Sequence, residues 1–170
     1  MIQQKKQSPA LSKELSRRGK SILAQFKTGK CFAAQFNLDF CLSRYSTIQT
    51  ITQGLSADLI KLGELNLAYG DKITALWIES WLVNIASYMD FSISSKQASS
   101  TAMFIKEECY MLNIGELTLL FKRIFKGKYG QFYGKFNGQT IIGACVEFRN
   151  ERGKIISKMS SEEQEALLNY

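Results

Sequence analysis

The sequence predicts an all-α protein, a helical domain of about five to six helices with a basic N-terminal arm. Three observations predict it. Apolar residues make up 45% and charged residues 22% of the 170-residue chain, which is the balance of a globular domain and not of a disordered one. Pro9 is the single proline, too few for a loop-rich β-sandwich. From Asp71 onward apolar residues recur at three- and four-residue steps, the period of a helix with one buried face.

From Pro9 to Phe26 the positions Leu11, Leu15, Ile22, Leu23 and Phe26 are loosely helical, with Ser8 as candidate N-cap, and Thr28-Gly29-Lys30 reads as a break. Residues 1–30 are therefore read as an arm, partly disordered. Residues 31–70 are the least legible. Phe36, Leu38, Phe40 and Leu42 alternate as in a strand, while Ile48, Ile51 and Leu55 fall at helical spacing. A helix over Ala57–Tyr69 follows, with Gly70 at its C′ position.

Asp71 is the expected N-cap of a central helix in which Ile73, Trp77, Trp81, Ile85 and Met89 step by four. Trp77 and Trp81 are read as core, because large aromatics bury so much area. Ser95 opens the next helix, whose seam is Ala98, Ala102, Ile105, Cys109 and Leu112. A helix over Gly115–Lys126 turns Leu117, Leu120, Phe121, Ile124 and Phe125 to one side, and Gly127 ends it. Residues 137–148 fit two readings. Asn137-Gly138 is a hairpin signal, yet a helix over Gln139–Arg152 with Ile141, Ile142, Cys145 and Phe148 inward is favoured. A short acidic helix, Ser161–Leu168, closes the chain, so that a helical domain spans 31–158 and an acidic element 159–170.

The chain has no histidine, which removes serine and cysteine triads and most zinc geometries, and no enzymatic role or cofactor is expected. Gly19-Lys20-Ser21 lacks the earlier glycine of a P-loop, since Glu14 stands in its place. Glu108 and Glu116 are weighed as a two-carboxylate metal site and read instead as solvated helix carboxylates. Cys31, Cys41, Cys109 and Cys145 have no metal-ligand spacing and are expected to be reduced. No apolar run approaches membrane-spanning length and no secretory signal is visible, so a cytoplasmic protein with no membrane partner is expected.

The charge is divided into blocks. Residues 1–30 carry eight Lys/Arg and one acid, 31–121 five and nine, 122–158 nine and two, and 159–170 three glutamates with no base. Two basic blocks around an acidic middle point to a polyanionic partner, against the plainer reading of solvated helix faces. The segment from Phe125 to Phe136 interleaves lysines, glycines and aromatics, which neutralise phosphate, admit a close backbone and stack on bases, respectively. The candidate nucleic-acid-binding residues are Lys122, Arg123, Lys126, Lys128, Tyr129, Phe132, Tyr133 and Lys135, extended by Arg149 and Arg152 on the following helix. The competing reading makes the glycine segment a tight turn with its rings plugging the core.

The stretch from Tyr110 to Gly134, a Glu-Leu-rich helix leading into Gly127-Lys-Tyr-Gly-Gln-Phe-Tyr-Gly134, resembles a family of small uncharacterised proteins of phages, conjugative elements and gut bacterial hosts. The helical layout is also similar to small phage helicase loaders and other replication accessory proteins. That resemblance implies a non-enzymatic, nucleic-acid-associated adaptor of phage or mobile-element DNA replication, with DNA favoured over RNA and a replicative helicase as possible protein partner. The alternative is a phage structural or host-interaction protein with no nucleic-acid role.

Overall fold

A computed structural model describes residues 15–132 and 135–168, and every regular element in them is helical. In chain order these are α1 Arg17–Gln25, α2 Gly29–Gln35, α3 Leu38–Arg44, α4 Ile51–Leu55, α5 Leu62–Tyr69, α6 Asp71–Tyr88, α7 Ser95–Glu108, α8 Ile114–Phe125, α9 Gly138–Ile156 and α10 Ser161–Leu168. The all-helical class is as expected, but the count exceeds the expected five to six. The added helices, α2, α3 and α4, are short and lie between Gly29 and Leu55: the strand-like alternation at 36–42 lies across α3, and the helix expected from Ala57 begins only at Leu62. Short helices evade periodicity because five to nine residues sample barely two turns; local capping decides them instead.

The caps are visible as hydrogen bonds. Thr28 Oγ1 accepts from Cys31 N, Asn37 Oδ1 from Phe40 N, Thr50 Oγ1 from Gln53 N and Asn113 Oδ1 from Glu116 N. Thr28-Gly29-Lys30, expected as a break, is thus the start of α2. Ser94, not Ser95, caps α7, and Asp71 is the first residue of α6, whose N-cap is Gly70. Asn137 Oδ1 accepts from Gln139 N, so the Asn137-Gly138 pair opens a helix and not a hairpin turn, and α9 runs four residues past Arg152.

The core gathers around α6 and α8. Trp77, Ile78, Trp81, Leu82 and Ile85 of α6 and Leu117, Leu120, Phe121 and Ile124 of α8 are buried, joined by Ile105 from α7 and Ile141 and Phe148 from α9. Both tryptophans donate from Nε1 to one acceptor, the Phe36 carbonyl, at 2.7 and 3.0 Å. Their rings lie 4.9 Å apart edge-on, and Trp81 meets Phe121 at 5.2 Å in the same manner. This confirms the core reading of the pair and shows how the irregular 31–70 region is pinned to α6.

The described part of the N-terminal segment is docked on the domain. Tyr69 Oη donates to the Phe26 carbonyl at 2.6 Å, Arg18 Nη1 donates to the Leu59 carbonyl at 2.9 Å, and Ile22 and Phe26 pack on the core. The expected Ser8 cap and the first residues of the arm lie outside the described residues.

Replacing Trp81 with Ala should cost about 3–5 kcal/mol, because it removes a buried ring together with one of two donors to the Phe36 carbonyl. Urea unfolding followed by circular dichroism reads this directly.

Candidate functional site

The expected interface after α8 is largely satisfied from within. α8 ends in a Schellman motif: Lys128 N donates to the Arg123 carbonyl at 3.0 Å and Gly127 N to the Ile124 carbonyl at 2.9 Å, with Gly127 at φ 70°. Only glycine takes that conformation without strain, so the first glycine of the motif is a helix stop. Arg123 Nη1 reaches Glu151 Oε2 at 2.9 Å and Tyr129 Oη at 3.1 Å, and Lys128 Nζ meets the same Glu151 at 3.0 Å. Burial alone pushes the Glu151 carboxyl upward, but these two cations outweigh it and hold it below the usual range. Burial raises the Tyr129 phenol, against the pull of Arg123.

Lys122 donates from Nζ to the carbonyls of Ser46 and Ile48 at 3.2 and 3.1 Å. Phe132 packs on the core, 5.7 Å from the Phe91 ring, and Phe136 is buried. Arg149 pairs with Glu108 and Arg152 with Glu116. Of the ten expected residues only Lys126 and Lys135 are exposed and outside any ion pair among the described residues; Tyr133 lies outside them. Much of the basic surface expected here is therefore spent internally: Glu108, Glu116 and Glu151 take up Arg149, Arg152, Arg123 and Lys128, and two carbonyls take up Lys122.

What the fold does assemble is a cleft of about 380 Å³ built on Glu116. The Asn113-x-x-Glu116 box at the start of α8 places this carboxylate. Asn113 N donates to Glu116 Oε2 at 3.0 Å, and Asn113 Nδ2 donates to the Gly54 carbonyl of α4 at 2.8 Å. Gly54 is needed there, since a Cβ on it would stand 2.8 Å from Glu116 Cγ. From α9, Arg152 Nε closes on Glu116 Oε1 at 2.7 Å; the side chains are 12% and 1% exposed. Glu116 is thus a buried, paired carboxylate, which corrects its expected place on a solvated face. The rejected alternative, a two-carboxylate site shared by Glu108 and Glu116, does not arise either, because each is held by a different arginine.

Two further cations line the cleft. Lys61 Nζ donates to the Leu167 carbonyl of α10 at 3.0 Å, and Arg18 pairs with Asp58 at the rim. Burial lowers the Lys61 ammonium, with Glu64 opposing it and Arg18 and Arg152 adding to it. Burial raises the Glu116 carboxyl from 4.5, while Arg152, the Asn113 N–H and Lys61 pull it back. The apolar wall is Leu55, Met159 and Leu167. The sequence contained one clue to this site, the Asn-x-x-Glu spacing. Arg152, Lys61 and Arg18 approach from remote parts of the chain and carry no local signal.

Among the described residues no cluster of three or more Cys, Asp or Glu side chains is arranged to hold a metal ion. No helix among them is long and apolar enough to cross a membrane. No disulfide is present; Cys41, Cys109 and Cys145 are buried, and burial pushes the Cys41 thiol up to about 12.

Fold and cleft together define a helical domain with a charged, part-buried groove at the junction of α4, α8, α9 and α10. The profile of a family of unknown function, DUF6633, matches residues 90–168, just under half the chain, which takes in α7 to α10. No curated protein and no solved structure matches the chain.

Arg152→Ala should cost about 3–5 kcal/mol near pH 7, because it strands a buried carboxylate. The sign with pH follows from the pairing. Without the guanidinium the folded-state pKa of Glu116 rises further above its unfolded value, so the stability tied to its neutral form is complete below about 4.5 and is lost as pH climbs through the raised value. The variant's deficit relative to wild type should therefore shrink on acidification from pH 7.5 to 4.5. A deficit that stays constant in urea titrations across that range contradicts this.

Proposed function

We propose that this protein is a non-enzymatic, nucleic-acid-associated adaptor whose phosphate-facing surface lies on α1 and α2 and not on the turn after α8. The replication setting, and phage or mobile-element origin, rest on the sequence resemblance alone.

One observation carries the reading: where the cations sit on their helices. Arg44, Lys106, Lys122, Arg123 and Lys154 occupy last turns, where a positive charge stabilises the helix itself. Arg17, Lys20, Lys27 and Lys30 do the reverse as a group, whereas Lys72 on α6 and Lys96 on α7 do so singly. The four are exposed at or near the starts of α1 and α2, which have no acid in their first turns, and none is in an ion pair among the described residues. Residues 15–38 hold five Lys/Arg and no acid. Helix stability does not account for positive charge there, whereas attraction of a polyanion does.

An adaptor also needs a protein-facing surface, and a second observation favours one. Leu76 and Val83, seven residues apart on α6, and Met103 and Phe104 on α7 are about half exposed, as are Leu67 and Tyr110. Exposed apolar groups in such number suit a protein partner. They equally support the alternative, a host-interaction or structural protein with no nucleic-acid role.

Fluorescence anisotropy with a single-stranded oligonucleotide separates the two. Wild type should lose affinity steeply between 50 and 200 mM salt, and the Arg17→Gln/Lys20→Gln/Lys27→Gln/Lys30→Gln variant should reduce the slope of log K against log salt by about 3. Lys126→Gln/Lys128→Gln should change it less. Absence of wild-type binding at 50 mM salt, with retention of a protein partner that Phe104→Asp abolishes, establishes the alternative.

A further inference from the structure

The unused hydrogen-bonding capacity of the cleft lies on Arg152. Its Nε is spent on Glu116, but its two terminal Nη groups donate to no acceptor among the described residues. They are not sealed in the core either, since among the described residues the buried side-chain polar atom lacking a partner is Asn66 Oδ1. A guanidinium that is 12% exposed, and that lines both this cleft and the opening beside it, therefore leaves a fork of N–H donors available there. Such a fork matches the two oxygens of a carboxylate or phosphate.

The surroundings restrict what can bind. Lys61 lines the same cleft, and Lys61, Arg152 and Leu167 also line a neighbouring opening of about 580 Å³ with Met111 and Ile156. The carboxylates at the cleft are already engaged: Glu116 by Arg152 and Asn113 N, Asp58 by Arg18, and Glu163 Oε2 by Ser160 N at 2.8 Å. Leu55, Ala57, Met159, Ala166 and Leu167 supply an apolar wall beside the cations. The volume, about 380 Å³, falls at the lower end of small-molecule sites.

We infer that the cleft beneath α10 binds a small amphiphilic oxyanion, an organic carboxylate or phosphate whose charged head is gripped by Arg152 beside Lys61 and whose short apolar body lies along Met159 and Leu167. Arg18 of α1 stands at the rim of this cleft, but the site uses none of the four cations proposed to face nucleic acid and does not depend on that proposal. α10 forms one wall through Leu167 and is tied down by Gln164 Nε2, which donates to the Ile156 and Met159 carbonyls at 3.1 and 3.0 Å. Occupancy should therefore fasten α10 to α9.

Isothermal titration of the full chain with hexyl phosphate, hexanoate and inorganic phosphate tests this. At least one hexyl compound should bind, and more tightly than inorganic phosphate, whose lack of an apolar body forfeits the wall. The ratio of the two hexyl affinities identifies the preferred head. Arg152→Lys keeps a charge on Glu116 but loses the fork, and should weaken binding roughly tenfold or more. Ala166→Trp, on the exposed side of α10, fills the cleft without touching the Glu116 pair and should abolish binding with an unchanged circular dichroism spectrum. It keeps the question open to refutation should Arg152→Lys fail to fold. No heat from any of the three probes at 10 mM overturns the inference. So does binding of a hexyl compound that Ala166→Trp leaves intact, or binding of inorganic phosphate as tight as that of its hexyl ester.

Discussion

The fold turns on the carboxylate of Glu116. It is the third residue of α8 and closes a capping box, so the backbone of Asn113 claims one of its oxygens, and Arg152 of α9 claims the other. The same Asn113 side chain reaches back to the α4 carbonyl of Gly54. One local motif thereby becomes the junction of three helices distant in sequence. Breaking it is expensive because a buried carboxylate without a partner has no inexpensive state, neither charged nor, at neutral pH, protonated. A pair of this kind need not add much net stability over an apolar substitute; its contribution is to fix which helices meet and in what register.

Charge blocks have to be judged against that junction. In the sequence two basic regions flank an acidic middle, and a polyanion is one answer to such a pattern. The structure gives another for the second block: Glu108 and Glu116 of the middle pair with Arg149 and Arg152, and Glu151 takes both Arg123 and Lys128. Much of the block asymmetry is internal complementarity between α7, α8 and α9. Among the described residues of the first block the ion pair is that of Arg18 with Asp58, while Arg17, Lys20, Lys27 and Lys30 are exposed, which is why the proposed nucleic-acid surface moves toward the chain's beginning.

The glycine-aromatic segment shows how one motif supports two physical readings. Glycine interspersed with lysine and tyrosine suits a loop that clamps a nucleotide backbone, and it equally suits a helix terminator followed by rings returning to the core. The positive φ at Gly127 and the paired hydrogen bonds from residues 127 and 128 belong to the second. Tyr129 then lies against Arg123 and Phe132 against Phe91, so the aromatic surface is turned largely inward.

The sequence by itself determined the helical class, the long helices from Asp71 onward, their buried stripes and the tryptophan core, because each follows from a period of 3.6 within one segment. It also contained, in Asn113-x-x-Glu116 and the similar boxes at Thr50, Ser94 and Ser160, the starts of several helices. Only tertiary structure decided the rest: the short helices of residues 31–70, which are too brief to carry a period, and the fate of each charge. Whether an arginine faces solvent or a glutamate depends on which helix lies opposite, and a pairing across 36 residues, as between Glu116 and Arg152, leaves no trace in local spacing.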